Sequence, residues 1–247
     1  MKSVFGQINM ISSNKIKALT FDVFGTIGDW RSSIVDEGKV FNQKWQKKVD
    51  WEAFALAWRG LYEPFMKVVR QGKRPWVILD VLHREILLSL LPQFGLNDLS
   101  ESEIDHLNYV WHRLKPWPDC VEGLSLLKKK FIIAALSNGN IALIMNMAKN
   151  AGLSWDVILG AEVAQAYKPQ PEVYLTSAQM LGLDPSECLM VAAHNHDLQG
   201  AKSAGFRTAF VRRSTEYGSQ QNTDLVAENG YDLVAEDLFG LAQQLGC

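Results

Sequence analysis

The 247-residue chain is poor in cysteine, has no long apolar run, and lacks an excess of charge of either sign. Its three cysteines, Cys120, Cys188 and Cys247, lie far apart with no C-x-x-C spacing. That excludes a disulfide framework or a cysteine zinc site and points to a reducing cytoplasm. No uninterrupted apolar stretch approaches the roughly 20 residues that cross a bilayer, and the first fifteen residues lack the apolar centre of a secretion signal. Residues 1–14 are expected to form a polar leader. Lys and Arg total 25 against 27 Asp and Glu, a net charge of −2, so no global field attracts nucleic acid or an anionic membrane. A local positive pocket for a small anion is compatible with that balance. What the chain does have is apolar material, 47% hydrophobic and 10% aromatic, enough for one large domain or a core carrying an inserted subdomain.

Two textures alternate. Residues 15–29 and 115–247 carry short β-type runs between helical segments, whereas residues 30–114 have helical periodicity almost throughout. The pattern predicts an α/β fold, a core interrupted by an all-helical insertion. Strands are expected at 16–22, 131–137, 155–159, 188–193 and 208–212; all but the third are apolar runs suited to a sheet covered on both faces. Pro171 and Gly182 bracket one helix, Asp197 and Gly205 the next. Strand alternating with helix implies parallel crossovers. Ligands then bind beyond the carboxyl ends of the strands, where Asp22, Ser137 and the loop after Ala193 should converge.

Within the helical segment, Trp51, Phe54, Trp58, Leu61, Phe65 and Val68 recur at three- and four-residue intervals. They predict one apolar helix face, kinked at Pro64. A second helix is expected over 77–91, after Arg74-Pro75, and Ser100 with Glu103 forms a capping box ahead of Ile104, Leu107 and Val110. Arg59 sits one position off the apolar stripe, where an arginine is ordinarily solvated.

Phe21-Asp22-Val23-Phe24-Gly25-Thr26 ends the first apolar run, so a buried strand delivers Asp22 to the sheet edge as a candidate covalent nucleophile. With Trp58-Arg59, Leu136-Ser137-Asn138-Gly139-Asn140, Tyr167-Lys168-Pro169 and Asp197, the chain resembles the haloacid dehalogenase superfamily and, within it, the type II (S)-2-haloacid dehalogenases. The resemblance spans nearly the whole chain and implies a Rossmann-like core with a helical cap inserted after the first strand. It also implies an activity: hydrolysis of short (S)-2-haloalkanoic acids to 2-hydroxy acids through an ester on Asp22. The partners implied are the 2-haloacid and halide, with a homodimer as the assembly similar members often form.

Most members of the superfamily resemble one another as magnesium-dependent phosphatases with a second Asp two positions after the nucleophile. Phe24 stands there in this chain. A phenyl ring cannot protonate a leaving alkoxide, and it dries the site, which suits a halide that leaves without a proton. In Val191-Ala192-Ala193-His194-Asn195-His196-Asp197 only Asp197 remains of the acidic set that would hold Mg²⁺. Two carboxylates are a poor octahedral set, so no metal and no cofactor are expected. A Mg²⁺-dependent phosphatase is the alternative.

Lys168 is expected beside Asp22, holding it ionised. The resemblance assigns Arg59 to the halide or the substrate carboxylate, as a guanidinium stays charged in a dry pocket. It assigns Asn138 to the halide, Ser137 and Thr26 to hydroxyl contacts with substrate carboxylate and nucleophile, and Tyr174 to supporting the pocket. A strand-end turn is the structural alternative for both hydroxyls, and core packing for Tyr174. Where the type II pattern has Ser-Ser-Asn, this chain reads Ala192-Ala193-His194. His194 is expected to replace them as general base towards the water that opens the ester, with His196 as its rival. Asp197 is expected both to cap the following helix and to bond Lys168.

Overall fold

The computed structural model describes residues 15–228 and 230–247; the expected leader lies outside them. The first apolar run forms β1 (Ala18–Phe21), fully buried, so Asp22 follows the strand instead of ending it. A tight loop leads to β2 (Gly28–Asp29), and the chain then leaves through α1 (Trp30–Trp45), α2 (Trp51–Arg70), α3 (Leu79–Leu90) and α4 (Glu101–Asn108). It returns by a 3₁₀ turn, Tyr109–Arg113, into β3 (Lys115–Pro116), which pairs antiparallel with β2. These two-residue strands are too short to leave a periodic signal, and they form the neck of the helical segment.

The remainder alternates. After α5 (Cys120–Lys128) come β4 (Ile132–Ser137), α6 (Ile141–Ala151), β5 (Val157–Gly160), α7 (Ala161–Ala164) and α8 (Pro171–Met180). Then follow β6 (Cys188–Ala192), α9 (Asn195–Ser203), β7 (Arg207–Val211), β8 (Leu233–Ala235) and α10 (Leu238–Leu245). The main sheet runs in the order β5-β4-β1-β6-β7-β8, every neighbouring pair parallel. Renumbered along the chain, its strands read 3-2-1-4-5-6, the doubly wound Rossmann order. Chain direction across the sheet reverses between β1 and β6, which opens the ligand crevice at their carboxyl ends. β8 went unforeseen, and β5 starts later than expected because Trp155 packs against the Phe21 ring at 5.7 Å instead of joining the strand.

The helical segment also departs in detail. Asp50 starts α2 by accepting from the amides of Glu52 and Ala53. The expected face holds through Trp51, Phe54 and Trp58, but burial then passes to Tyr62 and Met66, leaving Leu61 and Phe65 half-buried and Val68 exposed. Steps of four residues carry the buried line round the helix to the side that faces the core. The α4 capping box is present: the Ser100 amide donates to Glu103 at 2.9 Å. None of the helices among the described residues is long and apolar enough to cross a membrane.

α1 and α2 meet closely at Gly38, where an added Cβ would lie 2.0 Å from a ring carbon of buried Trp51. Alanine gains about 1 kcal/mol of helix propensity over glycine. Overpacking against an indole that cannot yield costs roughly 1–3 kcal/mol, so strain wins. Gly38→Ala should lower the urea midpoint at unchanged m; a midpoint at or above the parent's would mean that the two helices slide apart freely.

Candidate active site

β1, β4 and β6 end side by side, and the residues just beyond them meet. Asp22 Oδ1 accepts from Lys168 Nζ at 2.8 Å, and Oδ2 accepts from Thr26 Oγ1 at 2.8 Å. The Ala193 amide donates to the same Thr26 oxygen at 2.9 Å, which leaves the hydroxyl proton for Asp22. Lys168 Nζ spends its other two protons on Asp197 Oδ2 at 2.5 Å and the Leu136 carbonyl at 3.0 Å. Tyr174 donates to Asp197 Oδ1 at 2.6 Å. Burial alone would raise the Asp22 carboxyl, but Lys168 and then His194 outweigh it and hold the group well below the usual carboxylate range. Burial also opposes charge on Lys168, yet Asp197 and Asp22 raise its ammonium above the ordinary value. The Tyr174 phenol is raised first by burial and then by Asp197, so it stays a donor.

Asp197 bonds Lys168 as expected but does not cap α9. The helix starts at Asn195, with extended His194 in the N-cap position, so Asp197 falls in the first turn with its carboxylate turned to Lys168 and Tyr174. Ser137 accepts from the Gly139 amide at 2.9 Å, closing the strand-end turn, and is fully buried. Asn138 Oδ1 accepts from the Lys168 amide at 2.8 Å, and the Asn138 side-chain amide faces Tyr62 on the cavity wall.

His194 stands between two carboxylates. Its Nδ1 is 3.1 Å from Asp22 Oδ2, and its Nε2 is 2.9 and 3.2 Å from the two oxygens of Glu216. Burial disfavours the charged ring, but Glu216 and Asp22 raise it well above the usual imidazole value. At neutral pH the resting ring therefore carries both protons and donates to both sides. In that state it cannot take a proton from water, so the general base expected from the sequence is blocked until a flanking charge disappears. His196 lies at the cavity rim, its ring centroid 5.7 Å from that of His194.

Glu216 was missed by sequence reasoning. It lies between β7 and β8 in a segment without hydrophobic period, is 1% exposed, and also accepts from the Trp30 indole at 2.8 Å. Gly25 makes room for it: the glycine has φ +86, and an added Cβ would fall 2.1 Å from Glu216 Oε1. Arg213 anchors the same segment through Asp119 at 2.8 and 2.9 Å and through the Thr26 carbonyl at 2.9 Å.

Arg59 is half-buried, not solvated. Its guanidinium carbon lies 4.3 Å from the centroid of the Tyr62 ring and 5.9 Å from that of Trp30, and its Nε has no partner among the described residues. Buried Phe24 meets Trp111, His83 and Tyr62 edge-on at 5.6, 6.1 and 6.4 Å. His83 stacks on Trp111, and burial pushes it down to about 3, so this wall is uncharged. A cavity of about 760 Å³ reaches inward past Arg59, Tyr62, Asn138, Lys168, His196 and Tyr217. Its size and mix of apolar wall with a few convergent polar groups suit a small organic anion.

The donor set does not fit Mg²⁺. Asp22 and Asp197 are joined by Lys168, their other oxygens are bonded by Thr26, His194 and Tyr174, and no group of three or more metal-type side chains is arranged to hold an ion among the described residues. What the arrangement offers is an ionised, desolvated carboxylate beside donors for a second anion.

Residues 16–205 match the family described as haloacid dehalogenase-like hydrolase. The (S)-2-haloacid dehalogenase of Xanthobacter autotrophicus is 30% identical over 213 residues, 81% of this chain and 77% of that protein. Haloacetate dehalogenase H-2 of Moraxella sp. (strain B) is 27% identical over 210 residues, 81% and 87% of the two chains. Among solved structures, a defluorinating L-2-haloacid dehalogenase superposes with a TM-score of 0.92 at 44% identity, covering 94% of this chain and 96% of the other. The X. autotrophicus L-2-haloacid dehalogenase with chloropropionic acid covalently bound gives a TM-score of 0.78 at 25% identity, covering 94% and 98%. From the Asp22 strand through α9, then, this chain belongs to the haloacid dehalogenase-like hydrolases.

Proposed function

We propose that the protein is an (S)-2-haloacid dehalogenase, hydrolysing haloacetates and (S)-2-halopropionates to 2-hydroxy acids without a metal. The observation that carries this reading is the buried, anionic Asp22 with a phenyl ring, Phe24, where a phosphatase would need its proton donor. An Asp22 oxygen attacks C2 opposite the halogen; the C–halogen pair leaves as halide, configuration inverts, and an ester forms. No proton is required. Arg59 and the Asn138 amide receive the departing halide or the substrate carboxylate, Ser137 lies at the carboxylate side, and residues 30–114 close over the site as a cap. Lys168 keeps Asp22 ionised, with Asp197 and Tyr174 holding Lys168 in place.

Water then adds to Cγ of Asp22, the ester opens, and the hydroxy acid departs with its proton. Alkylation of Asp22 removes one of the two negative charges that hold the second proton on His194. The ring can lose its Nδ1 proton to solvent and then take one proton from the attacking water, the other passing to the leaving alkoxide, while Nε2–H stays hydrogen-bonded to Glu216; carboxylate and doubly protonated ring are thereby restored. The X. autotrophicus relative, with its covalently held chloropropionic acid, supports the ester. The reading extends to a reducing cytoplasm, supported by three unpaired cysteines among the described residues. It extends also to a homodimer, for which Leu56, Val68 and Val81 offer exposed apolar surface and which light scattering would read directly.

Purified protein should release halide from 2-chloropropionate equally with and without EDTA. One turnover in ¹⁸O-water with enzyme in excess should label Asp22 and leave the hydroxy acid unlabelled; label in the acid on that first cycle rules out the ester. His194→Ala should slow ester opening by about 10²–10⁴-fold and leave ester formation visible as a burst. Because Glu216 raises the imidazole, Glu216→Gln should lower its pKa and move the acid limb of the kcat profile to lower pH. A limb that stays put or moves up counts against His194 as the base.

A further inference from the structure

Three polar contacts seat the region from the end of α2 into α3 on the core. Tyr167 donates to the Val77 carbonyl at 2.7 Å, and Arg70 donates to the Lys168 carbonyl at 3.1 Å. The third is a chain of four side chains, none of which touches Asp22. Asp80, at the start of α3, accepts the Asn140 amide at 2.9 Å on Oδ2, while its own backbone N–H donates back to Asn140 Oδ1 at 3.3 Å. Asp80 Oδ1 lies 3.0 Å from His112 Nε2, and Asn146 Nδ2 lies 3.0 Å from His112 Nδ1. An amide nitrogen can only donate, so His112 Nδ1 accepts and the ring proton sits on Nε2, facing Asp80. Asn140 and His112 are buried, and the Asp80 side chain is 23% exposed.

Two opposed bonds fix the Asn140 amide in position and in rotation. Asn140 is also the N-cap residue of α6 and stands two residues after Asn138. Between them, Gly139 is pressed so close that an added Cβ would lie 2.7 Å from Ile144 and 3.1 Å from the Phe24 ring. The stretch Ser137–Asn140 is thus held at Asn138 by Lys168 and at Asn140 by Asp80, with little slack between.

We infer that Asp80 is a positioning residue for the leaving-group side of the site: by clamping Asn140 across the interface between α3 and the core, it sets where Asn138 presents its amide to the departing halide. The inference rests on the dehalogenase reading above. It assigns to a carboxylate outside the cavity an effect on halide affinity and on the first chemical step, and none on the second.

The test compares the full chain with Asp80→Ala and Asp80→Asn, using 2-chloropropionate and 2-bromopropionate as substrates and bromide as product inhibitor. Asp80→Ala should raise KM and the bromide inhibition constant together by about tenfold, while the rate of ester opening after the burst stays at the parent value. Asp80→Asn keeps an oxygen for the Asn140 amide and should regain part of the loss. Hydrogen exchange over residues 138–144 should quicken in Asp80→Ala. Parent-like KM and bromide inhibition, equal slowing of both chemical steps, or an Asp80→Asn variant as impaired as Asp80→Ala would overturn the assignment, since each is what loss of folded protein or no role at all produces. If Asp80→Ala does not fold, Asn140→Ala removes the same clamp from the core side and takes its place. Absence of halide release by the parent defeats the dehalogenase reading alone, and hydrogen exchange still reports whether Asp80 fixes the loop.

Discussion

A single buried ammonium, Lys168 Nζ between Asp22 and Asp197, is the interaction on which the rest of the site depends. Desolvating three charges costs several kcal/mol per ion, and removing one partner from such a cluster typically costs about 3–5 kcal/mol. Here every proton of the ammonium has an acceptor, and the acceptors come from the ends of β1, β4 and α9. The doubly wound order is what brings those three ends within reach of one side chain. The balance of charge extends further. Asp22, Asp197 and Glu216 supply three negative charges against Lys168 and the protonated His194, and Arg59 across the cavity sits in the field of Glu216 and Asp22.

Dryness is the second constraint. Phe24, Trp111, Tyr62 and a neutral His83 wall one side of the site, so electrostatic interactions inside it are weakly screened. The same walls stack Arg59 over Tyr62, giving a cation that needs no carboxylate partner of its own. A guanidinium left with free donors beside an aromatic face is poised for an incoming anion.

Short motifs at strand ends were legible from sequence. Asp22 stands where an apolar run gives way to a loop, Asp197 lies in the first turn of the helix that follows β6, and Lys168 lies in the loop between α7 and α8; the parallel sheet sends all three segments past the same edge. The burial of Arg59 was not legible: it follows from the buried line of α2 turning towards Tyr62, a drift that the stripe Trp51 to Val68 conceals. Glu216 and β8 were invisible because the stretch after β7 has neither period nor a familiar turn. The protonation of His194 was beyond reach for the same reason, since half of what charges it is Glu216. Asp197 misled as a cap because extended His194 opens α9 before it.

The Trp30 indole donates to the carboxylate that steadies His194, and Trp30 also opens the helical segment as the first residue of α1. Glu216 thus joins the His194 ring to the first turn of the helical segment, so a change of charge at the imidazole bears on how that segment is anchored.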